Sequence, residues 1–583
     1  MESINSFKGY GKVNEEERAF RRKSRKRYII IGASLVVLLV IIIGAVVGTR
    51  SRGGGGGGRS ESDPFETSIT PSTSIKAVCD VTQYRDACVS SLSSVESPGK
   101  GDPEQLFKLS MKVAVDALAK ISSVPRTLKA RANAKIVREA LDDCESLIED
   151  SIDQLNSSME LMRPGSGDDD DDGKILSKAK INDLRTWLSS ALTNQETCLD
   201  GLGESSAEFR NLMSSYLKNS TQFTSNSLAI ATKIISILEE LHISLHRKLL
   251  GAGAEYPTWV SGKDRRLLQE ESPEANVTVA KDGSGNFTTV QAAVDAAPKK
   301  SKDRFVIRIK AGTYKENVVV DKGKWNVVMV GDGQDTTIIS GSLNKVDGTP
   351  TFHSGTVIAA GKGFMARDIS FVNDAGPDKH QAVALRSSSD QSVFHRCTFD
   401  AYQDTLYAHS NRQFYRDCTI RGTVDFIFGN AAAVFQKCLI QPREPGAGQK
   451  NIVTAQGKVD PNQNTGISIQ GCTIYPLDKV TAPTYLGRPW KDYSTTLIMQ
   501  TTIDSVVDPA GWLAWVENTL PPDTIYYAEY SNQGTGSGVE KRVKWAGYKP
   551  AISAEEARKF TVEPFIQGSE WLPQSGVVYG ATL

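Results

Sequence analysis

The sequence predicts a helical region over residues 74–246 followed, over 274–583, by a solenoid of short parallel strands, the whole exposed to an oxidising lumen. Three observations carry this reading. In the first region apolar residues recur at three- and four-residue spacing: Phe107, Met111, Val115, Leu118, and later Ile230, Ile234, Leu238, Leu241, Leu245. After Asn276 the composition turns β-branched and Gly-rich, and one pattern returns: Phe394-His-Arg-Cys-Thr-Phe, Phe414-Tyr-Arg-Asp-Cys-Thr-Ile, Phe435-Gln-Lys-Cys-Leu-Ile and Ile469-Gln-Gly-Cys-Thr-Ile. Its cysteines, Cys397, Cys418, Cys438 and Cys472, step by 21, 20 and 34 residues. Strands returning every twenty-odd residues are turns of a solenoid, the long step being a turn with an insertion. A sandwich would repeat its strands every 8–12 residues.

The third observation is the N-terminus. Residues 28–48 are almost unbroken apolar, long enough to cross a bilayer as a helix. Arg21, Arg22, Lys23, Arg25, Lys26 and Arg27 precede them, a block expected to stay cytoplasmic. No small-x-small cleavage site follows, so the segment reads as a signal anchor with residues 1–27 as its cytoplasmic tail. Everything beyond is then luminal. Sequons at Asn156, Asn219, Asn276 and Asn286 and eight cysteines agree with that compartment.

Six consecutive glycines, Gly53 to Gly58, begin a flexible tether over 49–73. The run Asp168 to Asp172 reads as a solvated loop between helices. Cys79, Cys88, Cys144 and Cys198 allow three pairings, and spacing does not choose among them. Residues 247–273 hold two basic tetrads, Arg247-Lys-Leu-Leu and Arg265-Arg-Leu-Leu, in a stretch with Gly and Pro. Dibasic sites in such a linker are protease targets. The 68 basic and 68 acidic side chains cancel, so no global field draws nucleic acid, and any polyanion must be bound locally. The six histidines are not spaced as metal ligands beside Cys, Asp or Glu, so no metal is expected. His242 and His246 are placed on an exposed helical face.

The repeat also positions chemistry. Asp404 lies seven residues after Cys397, and Asp425 seven after Cys418. Turns stacked in register put these carboxylates on adjacent strands, about 4.8 Å apart at Cα. Gln403 follows Gln381 by 22 residues, so the glutamines stack beside them. Two such carboxyls cannot both ionise easily, which leaves an acid next to a carboxylate. That pair can run general acid/base and nucleophilic chemistry.

The segment Thr186-Trp-Leu-Ser-Ser-Ala-Leu-Thr-Asn-Gln-Glu-Thr-Cys198-Leu-Asp-Gly resembles the pectin methylesterase and invertase inhibitor family. Five further segments resemble, in order, the signatures of the pectin methylesterases: Gly312-Thr-Tyr-Lys-Glu316, Gln381-Ala-Val-Ala-Leu-Arg, Gln403-Asp-Thr-Leu-Tyr, Asp425-Phe-Ile-Phe-Gly and Leu486-Gly-Arg-Pro-Trp490. The whole chain thus resembles the higher-plant enzymes that carry a pro-region. The resemblance implies a right-handed parallel β-helix preceded by a four-helix inhibitor-like bundle that begins with a helical hairpin. It implies disulfides Cys79–Cys88, Cys144–Cys198 and Cys418–Cys438, with Cys397 and Cys472 as buried thiols.

It also implies roles. Asp425 is the nucleophile on the C6 methyl ester of a galacturonate, Asp404 the proton donor and later base, and Gln403 and Gln381 donate to the oxyanion. Arg488 holds Asp425, Trp490 offers a face to a sugar ring, and Thr351 contacts substrate. Tyr314 and Glu316 fit a structural role as well as a substrate role. The partners implied are methyl-esterified homogalacturonan, a subtilisin-like protease that removes the pro-region, and separate inhibitor proteins. The route is a Golgi membrane precursor secreted to the cell wall, and no cofactor is required. A pectin depolymerase on the same fold could use a close carboxylate pair, but paired glutamines and Arg488 favour acyl chemistry.

Overall fold

The computed structural model describes residues 71–95, 103–163, 178–240 and 274–583. The expected cytoplasmic tail, membrane segment and glycine tether lie outside them, as do Asp168–Asp172, His242, His246 and both basic tetrads. Among the described residues no helix is long and apolar enough to cross a membrane.

The first part is helical: Pro71–Cys79 (α1), Arg85–Ser94 (α2), Pro103–Ile121 (α3), Val124–Lys129 (α4), Lys135–Leu161 (α5), Lys178–Ser205 (α6) and Ala207–Glu240 (α7). The apolar spacing explains the packing. In α5, Val137, Leu141, Cys144, Ile148 and Leu155 return to one face and are buried. Phe107, Met111 and Leu118 do the same in α3, with Val115 at the margin. Helix α5 packs on α6, α6 on α7, and α3 on both α5 and α7. Disulfides Cys79–Cys88 and Cys144–Cys198 tie α1 to α2 and α5 to α6. The second closes a separation of 54 residues, the kind of constraint that contributes about 2–4 kcal/mol.

The second part is a parallel β-helix of three sheets with 11, 7 and 8 strands. The cysteine steps are its register: Val393 pairs with Phe414, Phe414 with Val434, and Val434 with Ser468, which are steps of 21, 20 and 34 residues. One column of rings runs through the interior, with Phe394 stacked on Tyr415 at 4.8 Å and Tyr415 on Phe435 at 4.4 Å. Phe414, which the sequence pattern aligns with Phe394, instead faces outward and is covered by the C-terminal residues Val562, Ile566 and Leu572. Tyr314 is buried and donates to the Lys310 carbonyl. Glu316 accepts from the backbone N–H groups of Val290 and Gln291, capping the helix Val290–Asp295. Both are therefore structural.

The seven-stranded sheet carries the cleft. Its strands are Val318–Val320 (β1), Val357–Ala359 (β2), Leu385–Ser387 (β3), Leu406–Ala408 (β4), Ile427–Gly429 (β5), Asn451–Gln456 (β6) and Thr484–Pro489 (β7), stacked in that order. Leu385, Leu406 and Ile427 face the core. One residue on, alternation turns Arg386, Tyr407, Phe428, Ala455 and Arg488 outward as a single registered row. All four sequon asparagines, Asn156, Asn219, Asn276 and Asn286, are exposed.

One expectation is corrected. Cys418 and Cys438 are not bridged; with Cys397 and Cys472 they are buried free thiols. Each of the three thiols on the later turns faces a backbone carbonyl of the turn before: Cys418 faces Phe394, Cys438 faces Tyr415, and Cys472 faces Phe435. In-register parallel stacking points these side chains the same way, along the ladder, where carbonyl acceptors satisfy them. Denaturation without reductant should therefore expose four alkylatable thiols by intact mass. Two would show that the bridge forms.

Candidate active site

Asp404 and Asp425 each sit two residues before a cleft strand, β4 and β5. Leu406 pairs with Ile427, so the two aspartates occupy equivalent places on successive turns. Both have left-handed backbone, φ 64° and 51°, a conformation that Asp tolerates better than most residues. The two coils are joined here by the Asp404 N–H donating to the Val424 carbonyl at 3.0 Å. Gly422 permits it, since a Cβ there would lie 2.3 Å from the Cβ of Phe426.

Arg488, at the outward position of β7, reaches across β6 to Asp425. Its Nε donates to Oδ1 at 2.8 Å and Nη2 to Oδ2 at 2.6 Å. Such a two-pronged contact fixes the carboxylate plane and favours its charged form. Gln381 and Gln403 line the same cleft, with the Ala382 N–H donating to the Gln403 carbonyl. Thr351 and Trp490 line it as well. Every residue assigned to the reaction or to substrate from the sequence is thus brought to one cleft of about 430 Å³.

No motif or spacing in the sequence points to Trp515. It stacks on Trp490 at 6.2 Å and lies under the Arg488 guanidinium, 4.2 Å from Cζ to the ring centroid. It comes from an irregular loop outside the repeat. Nor did the sequence reveal that the helical domain supplies the other wall, through Asp200, Glu204 and Arg210.

Burial pushes the Asp404 carboxyl well above the usual carboxylate range, and the neighbouring Asp425 and Glu204 charges push the same way. Burial also raises Asp425, but the hydrogen bonds and charge of Arg488 oppose it. The two carboxyls are therefore unequal: Arg488 opposes the rise at Asp425 by direct hydrogen bonds, and acts on Asp404 only by its charge. Two unequal carboxyls then face one space beside two neutral amide side chains. That is the equipment for acyl transfer. Among the described residues no cluster of His, Cys, Asp and Glu could hold a metal ion.

The helical domain lies across this site. Thr351 Oγ1 donates to Glu204 at 2.8 Å, and Lys345 stands 3.6 Å from the same carboxylate. Lys491 pairs with Glu196 and Asp200, and Lys322, just beyond β1, with Asp150 and Asp153. Burial lifts Asp200 to about 6 despite Lys491. The insertion that makes the 34-residue turn docks here too, with the Gln463 amide donating to the Ser189 carbonyl and Ser225 to Asp460. The apolar core of the helical domain runs on into Phe352, Tyr407 and Phe428 of the cleft.

This fold and site define a carboxylic ester hydrolase on a parallel β-helix. The chain belongs to the pectinesterase family: the family model described as Pectinesterase matches residues 276–569, and that described as Plant invertase/pectin methylesterase inhibitor matches 73–230. It is 52% identical to Pectinesterase 3 of Phaseolus vulgaris, over all of both chains, and 53% identical to Pectinesterase 1 of Arabidopsis thaliana, over 99% of each. Among solved structures it is similar to a pectin methylesterase from carrot, at 54% identity and TM-score 0.52, over 54% of this chain and 100% of that one. A relative made of the β-helix part alone is therefore a folded protein.

The Arg488 contact makes a prediction. In Arg488→Gln the buried Asp425 loses its counter-charge, and breaking such a pair costs about 3–5 kcal/mol. The Asp425 pKa rises, so the acid limb of kcat/KM against pH moves to higher pH. Activity at neutral pH falls by about 10²-fold or more. A pH–rate profile with an unmoved acid limb would contradict the assignment.

Proposed function

We propose that residues 274–583 hydrolyse the C6 methyl esters of homogalacturonan to free carboxylates and methanol, modifying pectin in the plant cell wall. The observation that carries this reading is the stacked pair Asp404 and Asp425, with Arg488 fixed on Asp425 alone. Asp425 attacks the ester carbonyl, and the tetrahedral oxyanion accepts hydrogen bonds from the side-chain amides of Gln403 and Gln381. Neutral donors suit this task, since they bind developing charge without clamping the neutral ester. As the intermediate collapses, Asp404 gives its proton to the departing methoxide. Now ionised, Asp404 takes a proton from water, which attacks the acyl carbonyl. The C6 carboxylic acid leaves and gives its proton to bulk water, Asp425 is restored as carboxylate, and Asp404 again holds a proton. Trp490 and Trp515 supply flat faces for sugar rings, and Thr351 contacts substrate.

The helical region reads as a four-helix inhibitor bundle formed by α3, α5, α6 and α7, with α1 and α2 as its N-terminal hairpin. The coil reads as right-handed, the hand that parallel crossovers favour. Tethered at high effective concentration over the cleft, the bundle silences the esterase until a subtilisin-like protease cuts after Leu250 or Leu268. Glu204 on Thr351 and the acidic contacts to Lys491 support that reading. The precursor is held in the Golgi membrane by residues 28–48, glycosylated at Asn156, Asn219, Asn276 or Asn286, and secreted after trimming. Separate inhibitor proteins compete for the face that the bundle leaves.

Two measurements test this. Residues 274–583 release methanol from methylated pectin, and Asp425→Asn abolishes release without lowering the melting temperature; an active variant sinks the nucleophile assignment. A full chain with both basic tetrads replaced by alanines releases methanol at least tenfold more slowly than the trimmed enzyme. Equal rates would leave the bundle a role in folding or export only.

A further inference from the structure

Arg386 is a buried cation that the reaction does not use. It occupies the outward position of β3, in the same registered row as Tyr407, Phe428 and Arg488. It is 6% exposed, and its Nε and Nη1 hydrogens have no hydrogen-bond partner. Its guanidinium lies flat on Phe352, with Cζ 3.3 Å from the ring centroid, and Phe352 itself lines the cleft. Stacking fixes the plane of the guanidinium and leaves its edge for a ligand.

A charged group in a dry place with unpartnered donors is costly and calls for an explanation. Burial here pushes the Arg386 pKa down to about 10. Phe352 covers one face of the guanidinium, and the helical domain brings charge to it. The charge acting on it most strongly is that of Asp143 on α5, buried at 3% exposure. Asp143 does not satisfy the guanidinium, because its hydrogen bond goes to His353. The docked domain therefore brings a carboxylate to Arg386 without forming the two-pronged contact that Arg488 makes with Asp425. On removal of the domain, Asp143 leaves, and Arg386 loses the carboxylate that acts on it most strongly.

Position supplies the rest. Arg386 stands two strands from β5, the strand that follows Asp425. At about 4.8 Å per strand that is about 10 Å along the cleft floor, about two sugar units. Residues 274–583 carry 32 basic and 31 acidic side chains, so no general field draws a polyanion here and a local site must do so.

We propose that Arg386, stacked on Phe352, is a carboxylate subsite that binds an already de-esterified uronate about two residues from the ester under attack. The proposal rests on the hydrolase reading above and deepens it. Each turnover makes a free carboxylate, the group this subsite takes, so the enzyme favours esters that lie near earlier products. Arg386 is a specificity-determining residue and plays no part in proton transfer.

The test uses residues 274–583 with Asp425→Asn to prevent turnover, titrated calorimetrically with unesterified and with fully methyl-esterified hexagalacturonate. Arg386→Gln is expected to weaken binding of the unesterified probe by tenfold or more and of the esterified probe by less than threefold. Arg386→Lys falls between, and it carries the comparison if the glutamine variant does not fold. Equal weakening for both probes, or no change for either, overturns the subsite. Methanol release by the unmodified domain is measured alongside. Its absence overturns the hydrolase reading, whereas release with an unaltered binding ratio overturns only the subsite.

Discussion

The two-pronged contact between Arg488 and Asp425 is the interaction on which the rest of the site depends. Two carboxyls on successive turns of one coil are each nine-tenths buried, and burial pushes both toward the protonated form. Arg488 breaks that symmetry by reaching one of them only. The asymmetry divides the pair: burial and the neighbouring Asp425 charge push Asp404 well up, whereas Arg488 opposes the rise at Asp425 through hydrogen bonds as well as charge.

The fold places these charges. A parallel coil stacks equivalent positions at the strand spacing, so a side chain on one turn has a fixed neighbour on the next. Asp404 and Asp425 are close because 21 residues make one turn, not because a loop was shaped around them. The same rule builds one outward row from Arg386, Tyr407, Phe428, Ala455 and Arg488, the last four of which line the cleft. It also explains how a helical domain can lie along the site: the regular floor offers α5 and α6 a ladder of partners from Lys322 to Lys491.

Much of this was legible in the sequence, and the reason is the repeat. The cysteine steps are the strand register, and the phase of the two aspartates follows from them. Where the repeat is interrupted, legibility stops. Trp515 comes from an irregular loop, so nothing in its spacing tied it to Arg488. Phe414 shares a motif with Phe394, yet one residue of offset within the motif turns it outward and puts Tyr415 in the column. Cys418 and Cys438 are neighbours as expected, but nearness does not make a bond where carbonyl acceptors already satisfy each thiol. The contacts of Glu204 and Asp143 join positions 147 and 210 residues apart, a relation that no local pattern encodes.

The placement of the proton is the claim on which the mechanism turns, and infrared difference spectroscopy on the full chain reads it directly. At neutral pH a protonated-carboxyl band is expected that disappears in Asp404→Asn and persists in Asp425→Asn. A band lost in Asp425→Asn and kept in Asp404→Asn, or lost in neither, would contradict the assignment of acid and nucleophile.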